Sequence, residues 1–196
     1  MSELIDVAFL SFRRPRQAAK WILALNLNLP QTVMFVGLTA VLVALVLSLM
    51  LRISPAPETA FPGSVEAMVL AMVSTPLRFA ALQFGYLVYS GFGLYQIGRW
   101  AGGKGSLTQS LAIMAALQLL QLVMASVVTL SALIFPPAAL LAMVAFPVIL
   151  LWILTQFVMA LHGFTSPLAV LFGIVAGYVG LIIVLSLVLS ILGFGS

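Results

Sequence analysis

Between Thr32 and Leu51 the chain runs twenty residues without a charged side chain. Similar apolar runs follow at Leu77 to Ile97 (with Arg78 at its edge), Leu107 to Leu133, Ala138 to Leu161 and Leu168 to Leu192. A helix that crosses a hydrocarbon core of about 30 Å needs roughly 20 apolar residues. The five runs therefore predict an all-α membrane protein. A cytoplasmic N-terminal segment, residues 1–29, precedes a transmembrane domain, residues 30–196, with crossings at about 32–51, 76–98, 106–133, 137–162 and 167–193. A soluble fold is excluded, because 64% of the 196 residues are hydrophobic and 6% charged, where soluble domains carry about 25% charged residues. The first run starts too far from the N-terminus, and is too long, for a cleaved signal peptide. No cysteine is present, so disulfide and thiolate chemistry drop out.

Residues at the run boundaries carry helix-start chemistry. Pro30, Pro76, Pro137 and Pro167 each stand at or near the start of a crossing, where a missing N–H costs nothing. Thr75 and Ser166 precede two of them and suit the N-cap. Pro147 lies inside the fourth run and predicts a kink there.

Five crossings put the termini on opposite sides. With the N-terminus in the cytoplasm, the inner segments hold Arg13, Arg14, Arg16, Lys20, Arg99 and Lys104, and the outer ones only Arg52 and Arg78. That bias fits the positive-inside rule and places the C-terminus outside the cytoplasm. The net charge of +4 thus marks membrane orientation and not nucleic-acid binding. Within residues 3–27, Leu4, Ile5, Ala8, Phe9 and Phe12 fall on one helical stripe. Ala18, Trp21, Ile22 and Leu25 fall on another after a break at Pro15. With cations between them, they predict one or two amphipathic helices on the inner membrane face. Ser64 to Val73, with Glu66 on its wet side, reads as a short interfacial helix outside.

Residues 98–106, GRWAGGKGS, lie one residue from a P-loop: Gly98, Gly103 and Lys104 match its anchors, and Gly105 replaces the Ser or Thr that would hold Mg²⁺. A working P-loop joins a strand to a helix, whereas this stretch joins two membrane crossings. It reads instead as a tight basic turn. Ser106 and Gln109 complete a capping box for the third crossing, Arg99 and Lys104 meet headgroups, and Trp100 takes the interface.

The Gly-rich basic turn "GRWAGGKGSLTQSLAIMA" between the second and third crossings and the short loop in "LHGFTSPLAVLFGIVAGYVG" before the last resemble the Yip-domain family. These are membrane proteins named for interacting with Ypt/Rab GTPases, and the resemblance runs from about residue 15 onward. It implies a membrane adaptor or organiser with five crossings, and the N-terminal segment of some thirty residues, shorter than in eukaryotic members, suggests a prokaryotic-type member.

No Asp, Glu, Lys, Arg or His stands in the middle of a run, so the ionisable groups that mark catalysis or coupled transport at depth are missing. Glu3, Asp6, Glu58 and Glu66 all lie outside the crossings. His162 ends the fourth helix beside Gly163, a position that suits a partial cation. One histidine without cysteine makes no metal site, so neither enzyme activity nor a cofactor or metal is expected. What remains in the runs is amide and hydroxyl: Gln118 and Gln121 lie one turn apart near the middle of the third, and Gln83, Gln96 and Gln156 lie elsewhere in the bundle. They serve interhelical hydrogen bonds or, in a channel or carrier, Gln118 and Gln121 line a path for a solute or lipid beside the Pro147 kink. Gly173, Gly177 and Gly180 in the last run predict close helix packing within the bundle, with Gly91 and Gly93 as counterparts. The expected partners are the lipid bilayer of a bacterial inner membrane and a second membrane or cytoplasmic protein, with no nucleic acid.

Overall fold

The computed structural model describes residues 9–53 and 75–191, and every regular element among them is an α-helix. In chain order these are α1 (Pro15–Ala24), α2 (Leu29–Ile53), α3 (Pro76–Trp100), α4 (Leu107–Ile134), α5 (Pro136–His162) and α6 (Pro167–Ile191). A helical stretch at residues 9–13 precedes α1. The interfacial helix expected at Ser64 to Val73, and all four acids, lie outside the described residues.

By length and composition, Leu29–Arg52, Leu107–Ile134 and Pro136–His162 can each cross a membrane, and Pro167–Gly180 forms a shorter apolar helix. The surface agrees with a lipid environment. Leu140, Leu141, Val144 and Val148 on α5 and Phe172 on α6 are each at least two-thirds exposed, an apolar face that water would not tolerate.

Local chemistry sets the ends of the helices. Ser106 caps α4: its Oγ accepts from the Gln109 N–H at 3.2 Å, and Gln109 Oε1 accepts from the Ser106 N–H at 3.0 Å. The Ser166 hydroxyl accepts from Ala169 N–H and caps α6, whereas the Thr75 side chain makes no capping bond. A second capping box stands at the start of α2, where Asn28 and Gln31 exchange backbone-to-side-chain bonds of 3.0 Å each way. That helix starts at Leu29, three residues before the apolar run. Asn26, at φ 46°, adopts the left-handed conformation that ends α1. Pro147 is accommodated inside α5, which continues through it. Only Phe135 separates α4 from α5, because Pro136 and Pro137 take the first turn of α5.

α4 is the centre of the bundle. One face sends Leu111 and Ala115 into a cluster with Val36 and Ala40 of α2 and Leu87 of α3. The other sends Ala112, Ile113, Leu117 and Leu120 against Ala18, Ala19 and Ile22 of α1 and Ile153, Phe157 and Leu161 of α5. A third, smaller cluster joins Val158 and Met159 of α5 to Val170 of α6. In lipid no hydrophobic drive separates helix from solvent, so small residues that allow close packing decide where helices meet. Gly91 on α3 meets that need: a Cβ there would stand 2.6 Å from Leu111 Cδ2 and 3.1 Å from its Cα. Of the glycines expected to pack α6, Gly177 would make ordinary contact with Ile97 at 3.5 Å, and Gly173 and Gly180, like Gly93 on α3, have nothing among the described residues within 4 Å of an added Cβ. Close approach therefore occurs between α3 and α4, where a backbone faces the glycine.

Candidate functional site

The residues expected at the membrane surface gather at one end of the bundle. α1 brings Arg16, Lys20 and Trp21, and Arg13 and Arg14 precede it. The α3–α4 turn brings Arg99, Trp100 and Lys104. All six cations are exposed, and Trp100 is 78% exposed. Because no Asp or Glu occurs among the described residues, these cations have no carboxylate partner there.

The expected insertion face of α1 is divided. Ala18 and Ala19 are fully buried and Ile22 nearly so, packed on α4 and α5, while Trp21 and Leu25 stay exposed. Two consecutive alanines let the helix lie so close to the bundle that Ile22 reaches its core. The segment therefore belongs to the protein's packing on one side and presents its cations on the other. Arg16 extends the attachment, with Nη2 donating to the Phe164 carbonyl at 3.4 Å.

Under this surface lies an enclosed histidine. His162, the last residue of α5, is 2% exposed. Its ring is walled by three glycines of the GRWAGGKGS turn. A methyl at Gly98 would stand 2.6 Å from ring Cδ2 and closer still to Nε2 and Cε1. One at Gly103 would stand 2.6 Å from Cβ and Cγ, and one at Gly105 3.0 Å from Cε1. His162 Nδ1 accepts from the Gly105 N–H at 3.3 Å, so the ring hydrogen belongs on Nε2. Nε2 is buried, and among the described residues it meets only the Leu94 backbone, at a geometry short of a full hydrogen bond. The His162 carbonyl accepts from the Lys104 N–H at 3.2 Å, and the ring stacks on Phe164 at 5.5 Å. The histidine at this helix end, a position that suits a partial cation, is thus a buried ring that clasps two turns together. Gly163, at φ 76°, ends α5 in the left-handed region and allows the chain to turn back at once.

The same geometry disposes of the P-loop likeness. A phosphate cradle needs backbone N–H groups free to face the ligand. Here Ala101 N–H donates to Ile97, Gly102 to Arg99, Gly103 to Gly98 and Lys104 to His162, all at carbonyl oxygens. Gly105 N–H donates to the His162 ring and Ser106 N–H to Gln109 Oε1. Every donor from 101 to 106 is engaged inside the chain, and the glycines serve close approach to an imidazole. Periodicity and motif spacing could not reveal this, because the partner lies 57 residues away from Gly105. The one available sign was a lone histidine beside a glycine at a helix end, matched with a turn unusually rich in glycine.

Gln83, Gln118 and Gln156 are half-buried on α3, α4 and α5, Gln121 is exposed, and none makes a side-chain hydrogen bond among the described residues. A small cleft opens elsewhere, between α1 and the start of α4. It is lined by Ile22, Leu23, Asn26 and Leu27 on one wall and Ser106, Thr108, Gln109 and Ala112 on the other. Among the described residues no three His, Cys, Asp or Glu side chains converge as metal ligands would.

No curated protein and no solved structure matches the chain. A family model does. It spans residues 9–188, from the helical stretch before α1 nearly to the end of α6, and so takes in the basic end, the glycine-walled histidine and the whole bundle. By that match the chain belongs to the Yip1-domain family of membrane proteins.

Proposed function

We propose that the protein is a non-enzymatic adaptor or organiser of a bacterial inner membrane. It crosses the bilayer five times, with the basic end in the cytoplasm and the C-terminus outside. The observation that carries this reading is the gathering of six exposed cations at one end, on a helix docked to the bundle and on a turn pinned by His162. Arg52 and Arg78, the only other cations, sit at the far ends of α2 and α3. Charge bias of that kind sets orientation. α3 and α6 complete the five crossings. Each has 25 residues, about 37 Å at 1.5 Å per residue, and α3 packs along both α2 and α4. The working surface is the basic end, which carries the chain's fixed charge on a braced framework and faces the compartment where a soluble or membrane partner would be met.

Thiol labelling tests the topology on a chain with no native cysteine. Cysteines at Gln17 and Ala101, both exposed at the basic end, should be protected from a membrane-impermeant reagent in intact cells. One at Leu77, 82% exposed at the opposite end, should label. The opposite pattern inverts the orientation. A mild-detergent pull-down with mass spectrometry tests the adaptor role: a partner lost when the six cations are replaced supports it, and binding that ignores them refutes it.

A further inference from the structure

The basic end has a chemistry that selects its ligand. Arg13, Arg14, Arg16, Lys20, Arg99 and Lys104 are all exposed there, and the described residues hold no carboxylate to answer them. Even if Glu3 and Asp6 both folded back onto this surface, four positive charges would remain. Exposed aromatic side chains are set among the cations: Phe9 at 65%, Trp21 at 37% and Trp100 at 78%. The framework is fixed beneath them. Ala18, Ala19 and Ile22 seat α1 on the bundle, Arg16 reaches the α5–α6 turn at Phe164, and the Lys104 backbone is tied to His162. Arg16 and Lys104 are thus both tied to the same short turn. Amphipathic aromatics interleaved with cations at the rim of an apolar bundle match the layer where acyl chain gives way to headgroup.

We infer that this end is a binding surface for anionic phospholipid, in which Arg16, Lys20 and Lys104 take headgroup phosphates while Trp21 and Trp100 enter the acyl boundary. The inference rests on the chain being an integral membrane protein and is independent of which way it faces. Backbone N–H groups of the turn take no part, since all are engaged internally. Recognition is by side-chain charge, and it weakens as salt shortens the Debye length. An acidic protein would match the charge but would leave the exposed Phe9 and Trp100 without an apolar counterpart.

The test uses the full chain with Trp152→Phe, so that Trp21 and Trp100 are the remaining reporters. It is reconstituted into symmetric phosphatidylcholine bilayers in which a minor fraction is brominated phosphatidylglycerol or, separately, brominated phosphatidylcholine. Bromine quenches indole on contact. Brominated phosphatidylglycerol should quench the more strongly, by a preference that falls with added NaCl. The Lys20 and Lys104 side chains make no hydrogen bond among the described residues, so Lys20→Gln with Lys104→Gln leaves the fold intact. That pair should lower the preference by about fivefold per cation. Arg16→Gln added to the pair should lower it about fivefold again, with helicity by circular dichroism unchanged. Arg52→Gln with Arg78→Gln, at the opposite end, should leave the preference as it was. Equal quenching by the two lipids overturns the inference, as does a preference undiminished by loss of Lys20 and Lys104 or one that depends on Arg52 and Arg78. If inorganic phosphate at matched ionic strength erases the preference, the surface takes the free anion and the lipid assignment fails. Because symmetric bilayers carry no sidedness, an inverted topology would overturn the proposed orientation without touching this result.

Discussion

Gly98→Ala is the sharpest probe of the clasp, because helix propensity and packing predict opposite signs. Gly98 lies in the last turn of α3, where alanine is favoured over glycine by up to about 0.5–1 kcal/mol. The added methyl, however, would overlap three atoms of a ring that is 2% exposed and has no room to retreat. Overpacking of that kind costs about 1–3 kcal/mol. Displacing the ring also breaks the bond from Gly105 N–H to Nδ1 and leaves a buried donor orphaned, at about 1–3 kcal/mol. The net expectation is a loss of about 2–4 kcal/mol. In a His162→Ala background the ring is gone, so Gly98→Ala should become neutral or stabilising by a few tenths to about 1 kcal/mol. Reversible unfolding of the four proteins in mixed SDS–dodecylmaltoside micelles, followed by circular dichroism, closes the double-mutant cycle. The coupling energy should be about 3 kcal/mol. If Gly98→Ala costs the same with and without the imidazole, or costs nothing in the parent, the glycines do not exist to admit His162.

Ser106→Ala and Asn28→Ala should each lower stability by about 1 kcal/mol through a lost capping box, read as a lower unfolding midpoint in the same micelles. Gly91→Ala should cost about 1–2 kcal/mol because Leu111 Cα is backbone and cannot yield. Gly173→Ala, open on every side, should be neutral or stabilising, and an equal loss at both positions would remove the distinction between them. Lys104→Ala should leave ATP binding by equilibrium dialysis at its baseline of none. Saturable binding in the parent that disappears in this variant would reinstate the nucleotide site.

What could be read from the chain, and what could not, divides by range. The Ser106–Gln109 box lies within four residues, and its chemistry is complete in the letters S-x-x-Q; the structure contains it. The Asn28–Gln31 box is equally local, yet it sits ahead of the apolar run in a segment that hydropathy assigns to a connection. Extending the same motif to Asn would have found it. The helical stripe on α1 was legible as a stripe, but its partner was not. Periodicity gives a face, and only tertiary packing says that Ile22 meets Phe157 while Trp21 stays outside. The three regularly spaced glycines of α6 carried the stronger pattern for helix packing, whereas Gly91 makes the contact a Cβ would block. Spacing cannot tell a glycine that faces a backbone from one that faces open space. His162 was the least legible, since its environment is assembled from the end of α3, the α3–α4 turn and its own turn.

The single-residue junction at Phe135 has a consequence for how the protein is made. From Ala132 to Ala138 no side chain is polar, and the backbone asks little of water: Phe135 N–H donates to Ser131, Ala138 N–H donates to Phe135, and the two intervening prolines have no N–H. From Leu107 to Leu161 there is not one charge. In the proposed orientation, nothing hydrophilic has to be carried across the bilayer between α4 and α5 as they leave the ribosome. The pair can enter lipid as a closed hairpin, tip first, anchored by the cations that precede it. A single arginine introduced at Phe135 should therefore act on insertion before it acts on the finished fold, stalling the hairpin at the translocon and sending the chain to degradation while an already assembled bundle could still have tolerated the charge at its rim.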